Sequence, residues 1–298
     1  MTQPESTIGR VLLVGAGPGS ADLLTLRALR AIEHAGALLY DALVLDEVVD
    51  LAPRGCVRIR TGKRAGEASM KQETINRLML RLARRGLMVV RLKGGDPSIF
   101  GRSGEERAFL EAHGVPVEIV PGVTAASAAA AQFAFPLTHR GESRRLVLAT
   151  ARLTDGALQT EGWDGLTPAD TTLALYMGRD VAGAVAARLV AEGRSPLTPC
   201  LIVENAGRAN ARGTAAHLSV LGVAMADAEP SGPVVVVIGT VTARARMMAG
   251  QGLPSSEADQ CGRPCPSPSR KPRIHSATRS RSLGPARLAM AASACSSV

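Results

Sequence analysis

Short runs of apolar, β-prone residues alternate with amphipathic helical patterns over residues 8 to 248, and this alternation restricts the fold more than any other feature. The apolar runs are IGRVLLVG, GALLY, CVRIR, LMVVRLK and VEIV, followed by LVLAT, TLALYM, PCLIVE and VVVVIG. Segments such as QETINRLMLRLARRG and DVAGAVAARLVAEG separate them. Strands that alternate with helices form largely parallel sheets with helices on both faces. We therefore predict an α/β fold.

The segment QETINRLMLRLARRG illustrates the helical pattern. Ile75, Leu78, Met79 and Leu82 recur at the spacing of one helical face, so they are expected to pack on a sheet. Gly86 follows the last of them and is typical of a helix C-terminus.

A polar, glycine-containing segment, LTHRGESRR, divides the alternation into two series. We predict an N-terminal α/β domain over residues 8–137, a linker over 138–145 and a C-terminal α/β domain over 146–248. Residues 249–298 are rich in Pro, Ser and Arg, a composition that predicts a disordered basic tail.

The tail changes how the formal net charge of +9 is interpreted. From residue 250 onwards, seven Lys or Arg residues face only Glu257 and Asp259. The remainder of the chain is thus only mildly basic, and we do not expect it to bind nucleic acid. A protein that uses the basic tail to bind nucleic acid on a degenerate α/β scaffold stays open as an alternative.

Several other classes of protein do not match the sequence. No uncharged run reaches the length of a membrane span, and the N-terminus has no secretory signal, so we expect a cytoplasmic protein without membrane contact. The five cysteines are scattered and the five histidines do not pair at helical spacing, so we expect no metal site.

Four of the predicted strands end in unusual loops: VGAGPGS, LKGGDPSIFG, VPGVTAAS and LYMGRD. Parallel α/β sheets bind ligands at the carboxyl ends of their strands, so these loops predict one shared site. The glycines of the first loop follow GxGxG rather than the GxGxxG of dinucleotide-binding proteins, and no Gly-Lys-Ser/Thr closes it as in a phosphate-binding loop. We therefore expect this loop to approach a ligand without a phosphate group.

Several motifs together resemble the tetrapyrrole methylase family: VGAGPGS, LLYD, GKRAG, RLKGGDPSIFGRSGEE, VPGVTAASAAAA, FPLTHRG, YMG and VENA. The resemblance covers roughly residues 8 to 240. It implies a fold of two α/β domains with the active-site cleft between them, in a homodimer. It also implies transfer of two methyl groups from S-adenosylmethionine to uroporphyrinogen III, through precorrin-1 to precorrin-2, on the route to sirohaem and cobalamin.

The same resemblance implies which residues contact S-adenosylmethionine. They are mainly small residues, which let backbone groups approach the ligand: Pro18, Gly94, Gly95, Asp96, Ile99, Thr124, Ala125, Met177 and Ala206. From the sequence alone, Met177 could equally be an ordinary core residue.

Proton transfer and substrate binding are assigned to charged residues. By the family pattern, Asp41 is the proton acceptor and Lys63 the proton donor, although a strand-end carboxylate and a loop lysine are also typical of a solvated rim. The eight carboxylates of the substrate predict cationic partners, of which Arg60 and Arg140 are expected to bind it. The wider set of candidates adds Lys63, Arg64, Arg91, Arg102, His139 and Arg145.

Two points concern the extent of the enzyme and its substrate. No dehydrogenase or chelatase module precedes Ile8, so we expect a methyltransferase that is not fused to one. Another methyltransferase of the corrin pathway, acting on a precorrin, stays open as the alternative within this fold.

Overall fold

The computed structural model describes residues 8–62, 70–150, 152–154, 157–159 and 166–247. These residues form two sheets flanked by helices. Among them, the first sheet has five strands: β1 (Val11–Gly15), β2 (Ala37–Tyr40), β3 (Val57–Arg60), β4 (Val89–Lys93) and β5 (Val117–Val120). The helices of this part of the chain are α1 (Leu26–Glu33), α2 (Asp46–Val49), α3 (Gln72–Ala83), α4 (Ser103–Ala112) and α5 (Ala125–Gln132), with a short 3-10 helix at Ala21–Leu23.

The first sheet is parallel throughout, in the order β3-β2-β4-β1-β5. Its central strands β1, β2 and β4 are buried on both faces, whereas the edge strands β3 and β5 are partly exposed. Successive side chains of a strand point to opposite faces of the sheet. Leu12 and Val14 enter one core cluster, whereas Val11 and Leu13 enter the other. The predicted α/β fold with parallel strands is confirmed here.

The second sheet contains β6 (Arg145–Thr150), β9 (Thr171–Tyr176), β10 (Pro199–Glu204), β11 (Arg212–His217) and β12 (Val234–Ile238). Between β6 and β9, the strands β7 (Arg152–Thr154) and β8 (Ala157–Gln159) pair with each other in an antiparallel ribbon. The helices are α6 (Ala182–Ala191) and α7 (Leu221–Ala228), with 3-10 helices at Arg179–Val181, Leu218–Val220 and Thr240–Arg244.

This second sheet is mixed rather than largely parallel as predicted. Its order is β11-β10-β12-β9-β6, and within it only β6 and β9 pair in parallel among the described residues. The physical reason is partly the short connection between β10 and β11, since parallel neighbours need a crossover of a dozen or more residues. The sequence RGTAAH of β11 also lacks an apolar run, which is why it was not predicted as a strand.

The predicted helical face of α3 is present in the structure. Ile75, Met79 and Leu82 are buried against the first sheet, and Leu78 packs beside them. The chain leaves the helix at Ala83, whose carbonyl accepts a hydrogen bond from the Gly86 amide at 2.9 Å. Gly86 has φ +78°, a conformation that favours glycine and ends the helix.

Helix α5 connects the two sheets. It follows β5 in sequence, yet Ala129 and Ala130 pack in the core of the second sheet, together with Phe133 and Phe135. These four residues thus belong to the core of the second sheet although they precede the predicted linker. The domain boundaries at 137 and 145 stay predictions. Among the described residues, no helix is both long and apolar enough to cross a membrane.

Candidate functional site

A cavity of about 510 Å³ lies where the carboxyl ends of the first-sheet strands face loops of the second sheet. This volume suits a small-molecule ligand. All nine residues predicted to contact S-adenosylmethionine line it: Pro18, Gly94, Gly95, Asp96, Ile99, Thr124, Ala125, Met177 and Ala206. Asp41 lines the same cavity. The four loops singled out in the sequence thus meet at one place.

Three of these loops pack main chain against main chain at the edge of the first sheet. Gly17 and Gly95 exchange backbone hydrogen bonds of 3.2 and 2.7 Å. A Cβ atom on Gly122 would lie 2.2 Å from the Gly95 carbonyl oxygen, and one on Gly15 would lie 2.6 Å from the Gly122 Cα atom. Glycine is required here because the backbones approach so closely.

The VGAGPGS loop is fixed to the second sheet. The Ser20 amide donates to the Gly207 carbonyl at 2.9 Å, and the Gly207 amide donates to Gln132 Oε1 at 3.0 Å. The Ala21 amide, which begins the short 3-10 helix, donates to a Glu47 carboxylate oxygen at 2.8 Å. A protein carboxylate therefore occupies one amide that a phosphate-binding loop would offer to its ligand.

Asp96 organises the loop in which it lies. One carboxylate oxygen accepts hydrogen bonds from the Ser98 amide at 2.8 Å and from the Ser98 hydroxyl. The other accepts from the Gly122 amide at 2.9 Å. The carboxylate thus connects the loops that follow β4 and β5 while it lines the cavity.

Asp41 lies directly after β2, on the same edge of the sheet. Its carboxylate accepts hydrogen bonds from the Leu43 amide at 3.2 Å and from the Gly94 amide at 3.4 Å. Both bonds are long, and the side chain is half-buried at the cavity wall. A carboxylate in this position can accept a proton from a bound ligand.

Tyr176, at the end of β9, was not predicted as a site residue. Its hydroxyl lies 2.5 Å from Thr124 Oγ1 and accepts a hydrogen bond of 3.1 Å from the Ala126 amide at the start of α5. Its ring packs on Phe100, with the centroids 5.3 Å apart. The available signal was its position at the end of an apolar strand, directly before Met177.

Three cavity residues other than glycine have positive φ angles. They are Phe100 at +52°, Arg102 at +57° and Met177 at +54°. Such conformations cost energy and cluster at functional sites. Met177 is 61% exposed, so it belongs to the cavity wall and not to the core.

A buried polar cluster forms the wall where β4 ends. Glu106 is fully buried, and its carboxylate accepts hydrogen bonds from Arg91 Nε at 3.3 Å, Lys93 Nζ at 3.0 Å and Gln72 Nε2 at 2.9 Å. Burial lowers the pKa of the Lys93 ammonium group and Arg91 adds to this effect, whereas Glu106 and Asp41 oppose it. Arg91, Lys93 and Gln72 line the cavity.

Of the predicted cations, Arg91 and Arg102 line the cavity, whereas Arg60 and Arg140 do not. Arg60 is exposed at the end of β3, and Arg140 is exposed in the turn between His139 and Ser143. Lys63 lies outside the described residues, as do Arg64 and the tail from residue 248 onwards. In the described part of the chain, the cations that line the cavity are Arg91, Lys93, Arg102, Arg179 and Arg208.

Glu204 fixes the loop that closes the cavity on the side of the second sheet. Its carboxylate accepts hydrogen bonds from the amides of Ser231 at 2.7 Å and Gly232 at 2.6 Å, and from Arg212. Burial alone would raise the pKa of this carboxyl group, but these hydrogen bonds outweigh burial and hold the pKa below its ordinary value. Within the described residues, no cluster of three or more His, Cys, Asp or Glu could hold a metal ion.

The chain is similar in sequence to siroheme synthases of several bacteria. The chain is 43% identical over 234 residues to siroheme synthase of Azotobacter vinelandii, which covers 78% of this chain and 50% of the relative. It is 43% identical over 263 residues to siroheme synthase of Xylella fastidiosa, covering 88% of this chain and 54% of the relative. The chain thus spans about half the length of these curated relatives.

Two solved structures show the same fold along most of the chain. A uroporphyrin-III C-methyltransferase from Thermus thermophilus, solved in complex with S-adenyl homocysteine, is 43% identical with a TM-score of 0.66, covering 79% of this chain and 99% of that one. A cobalt precorrin-4 methyltransferase is 28% identical with a TM-score of 0.69, covering 80% and 97%.

The family model of tetrapyrrole (corrin/porphyrin) methylases matches residues 10–221, a range that includes both sheets except β12. This range contains the four loops, Asp41 and the buried cluster around Glu106. The chain belongs to the tetrapyrrole methylase family.

Proposed function

We propose that this protein transfers two methyl groups from S-adenosylmethionine to carbon atoms of uroporphyrinogen III, giving precorrin-2 through precorrin-1. The observation that carries the proposal is that all nine residues expected to contact S-adenosylmethionine line one cavity. The 43% sequence identity to a uroporphyrin-III C-methyltransferase solved with S-adenyl homocysteine supports both the proposed substrate and the proposed methyl donor.

Small residues form one part of the cavity wall. Gly94, Gly95, Ala125 and Ala206 leave that part free of long side chains, so a ligand can reach backbone amides and carbonyls there. Exposed Met177 and Phe100 add apolar contact area. S-adenosylmethionine supplies a methyl group already activated on a sulfonium, so the protein contributes mainly by positioning.

Proton transfer is the chemical work left to the side chains. When a pyrrole carbon takes the methyl group, the macrocycle gains positive charge and must lose a proton. Asp41 lines the cavity with only two long hydrogen bonds to amides, so its carboxylate can take that proton. Lys63 is the proposed proton donor.

The first test is ligand binding followed by turnover. S-adenosylhomocysteine should raise the melting temperature progressively as its concentration increases. Incubation with uroporphyrinogen III and S-adenosylmethionine should yield a product heavier by two methylene units. Absence of any thermal shift would exclude S-adenosylmethionine chemistry, and a shift without methylation of uroporphyrinogen III would exclude this substrate.

A variant separates catalysis from binding. Asp41→Asn should reduce turnover at least a hundred-fold, at the lower end of about 10²–10⁴ for general acid-base groups, and leave the S-adenosylhomocysteine shift in place. Asp46→Asn, an exposed position in α2, is the matched control and should retain full activity. Equal activity of the two variants would contradict the role of Asp41.

The fold similarity to a cobalt precorrin-4 methyltransferase favours a second candidate, methylation of a later precorrin. Supplying precorrin substrates to the same assay distinguishes the two. The homodimer implied by the resemblance and the cytoplasmic location expected from the sequence belong to this proposal. Light scattering of the purified protein measures the oligomeric state.

A further inference from the structure

The wall of the cavity at the end of β4 contains more positive than negative charge. Arg91 and Lys93 are both at least 95% buried, at 4% and 5% exposure, and Glu106 is the carboxylate that joins them. Two cations therefore share one anion within this cluster. Burying a cation without a matching anion is costly, so such an arrangement favours an additional negative group nearby.

Lys93 has donors left for that group. An ammonium has three N–H donors, and Glu106 takes one of them at 3.0 Å. Arg91 uses two of its five N–H donors within the wall: its Nε donates to Glu106 and an Nη atom donates to the Leu92 carbonyl at 2.9 Å. Lys93 also lines the cavity, so a ligand there can approach its side chain.

The other carboxylates near Lys93 do not replace a ligand. Asp41 attracts Lys93 electrostatically but does not form an ion pair with it, and its two oxygens accept long hydrogen bonds from the Leu43 and Gly94 amides. Asp96 directs its oxygens to Ser98 and Gly122. Among the described residues, Glu106 alone forms an ion pair with Lys93.

We propose that Lys93 is a carboxylate-binding residue of the cavity, with its ammonium held in place by Glu106. This inference rests on the proposed function, which offers two sources of carboxylate: the side chains of the tetrapyrrole and the methionine part of S-adenosylmethionine. The same chemistry serves either one, and binding measurements on each ligand distinguish them.

The experiment uses the full-length protein and three variants. Lys93→Met keeps the length of the side chain and removes its charge, and Lys93→Arg keeps the charge. Arg107→Met is the matched control, because Arg107 lies on the same helix as Glu106 but pairs with Glu111 at the surface. Melting temperatures without ligand show whether each variant is folded.

Two ligands are titrated against each protein: S-adenosylhomocysteine by calorimetry and uroporphyrin III by fluorescence. Lys93→Met should weaken one of them by about ten- to a hundred-fold, as expected for one charge-assisted hydrogen bond. Lys93→Arg should restore part of the affinity, and Arg107→Met should match the unsubstituted protein. The octamethyl ester of uroporphyrin III, which lacks carboxylates, should bind Lys93→Met and the unsubstituted protein equally.

Each outcome decides the inference. Selective loss of uroporphyrin III assigns Lys93 to the substrate, and selective loss of S-adenosylhomocysteine assigns it to the methyl donor. Unchanged affinity for both, or equal loss of both, overturns the inference, because one carboxylate site serves one ligand. If the unsubstituted protein binds only S-adenosylhomocysteine, the S-adenosylhomocysteine titration alone decides the role of Lys93, and the turnover assay with uroporphyrinogen III tests the proposed substrate separately.

Discussion

Tyr176 joins two parts of the cavity wall through a single hydroxyl group. It contacts the Thr124 hydroxyl and accepts a hydrogen bond from the Ala126 amide, so it holds the start of α5 against the end of β9. Tyr176→Phe keeps the ring on Phe100 but removes both bonds. We expect a loss of about 1 kcal/mol in the free energy of unfolding and weaker binding of S-adenosylhomocysteine.

Chemical denaturation and calorimetry measure these two effects. The matched control is Tyr40→Phe, since Tyr40 is the other tyrosine and its hydroxyl has no hydrogen-bond partner in the described part of the chain. Tyr40→Phe should leave S-adenosylhomocysteine binding unchanged. If Tyr176→Phe also binds with full affinity, the hydroxyl does not organise the site.

Individual site residues were predictable only where a family motif marked them. Asp96 and Gly95 stand in such a motif, and they line the cavity. Tyr176, Lys93 and Glu106 also stand in these motifs, but their roles depend on contacts made in the folded chain, which the motifs alone did not indicate. Arg60 and Arg140 were selected by charge alone, and charge does not determine the direction in which a surface side chain points.

At the scale of elements, the VGAGPGS loop is the most tightly fitted segment of the site. A Cβ atom on Gly19 would lie 2.1 Å from the Gly207 carbonyl oxygen, so Gly19→Ala must push the two loops apart. Overpacking of this kind costs about 1 to 3 kcal/mol. We expect a lower melting temperature and a smaller thermal shift with S-adenosylhomocysteine.

Gly55→Ala is the control for this substitution. No atom lies within 4 Å of the position that a Cβ would take on Gly55. Its melting temperature should equal that of the unsubstituted protein. A Gly19→Ala protein that melts at the same temperature as Gly55→Ala would show that the loops separate without cost.

The elements themselves were largely predictable. Apolar runs identified the parallel strands of the first sheet, since strands buried on both faces are almost continuously hydrophobic. Pairing direction in the second sheet was not predictable, because it depends on which strands become neighbours. The β11 sequence also has no periodic signal, and β11 is a strand only because β10 offers it a free edge.

At the scale of the whole molecule, the described core is built entirely from residues that precede the tail in the sequence. Its four clusters extend from Val11 to Val241. Truncation after Gly250 should therefore change the melting temperature by less than about 2 °C, corresponding to less than 1 kcal/mol. Methyl transfer should also be unaffected. A larger fall, or a loss of activity, would assign the tail a role in the folded enzyme.

The position of α5 determines how the cavity responds to its contents. The helix begins at the cavity wall with Ala125 and buries Ala129 and Ala130 in the core of the second sheet, so this part of the wall is packed on that sheet. A ligand that contacts both Gly95 and Ala125 bridges the first sheet and the helix that packs on the second sheet. A bulkier ligand has to increase the separation of the two sheets. The hydrogen bonds from Ser20 to Gly207 and from Arg208 to Leu43 oppose that separation. We therefore expect selectivity for ligand size to depend on how strongly the two sheets are held together, as well as on the shape of the cavity.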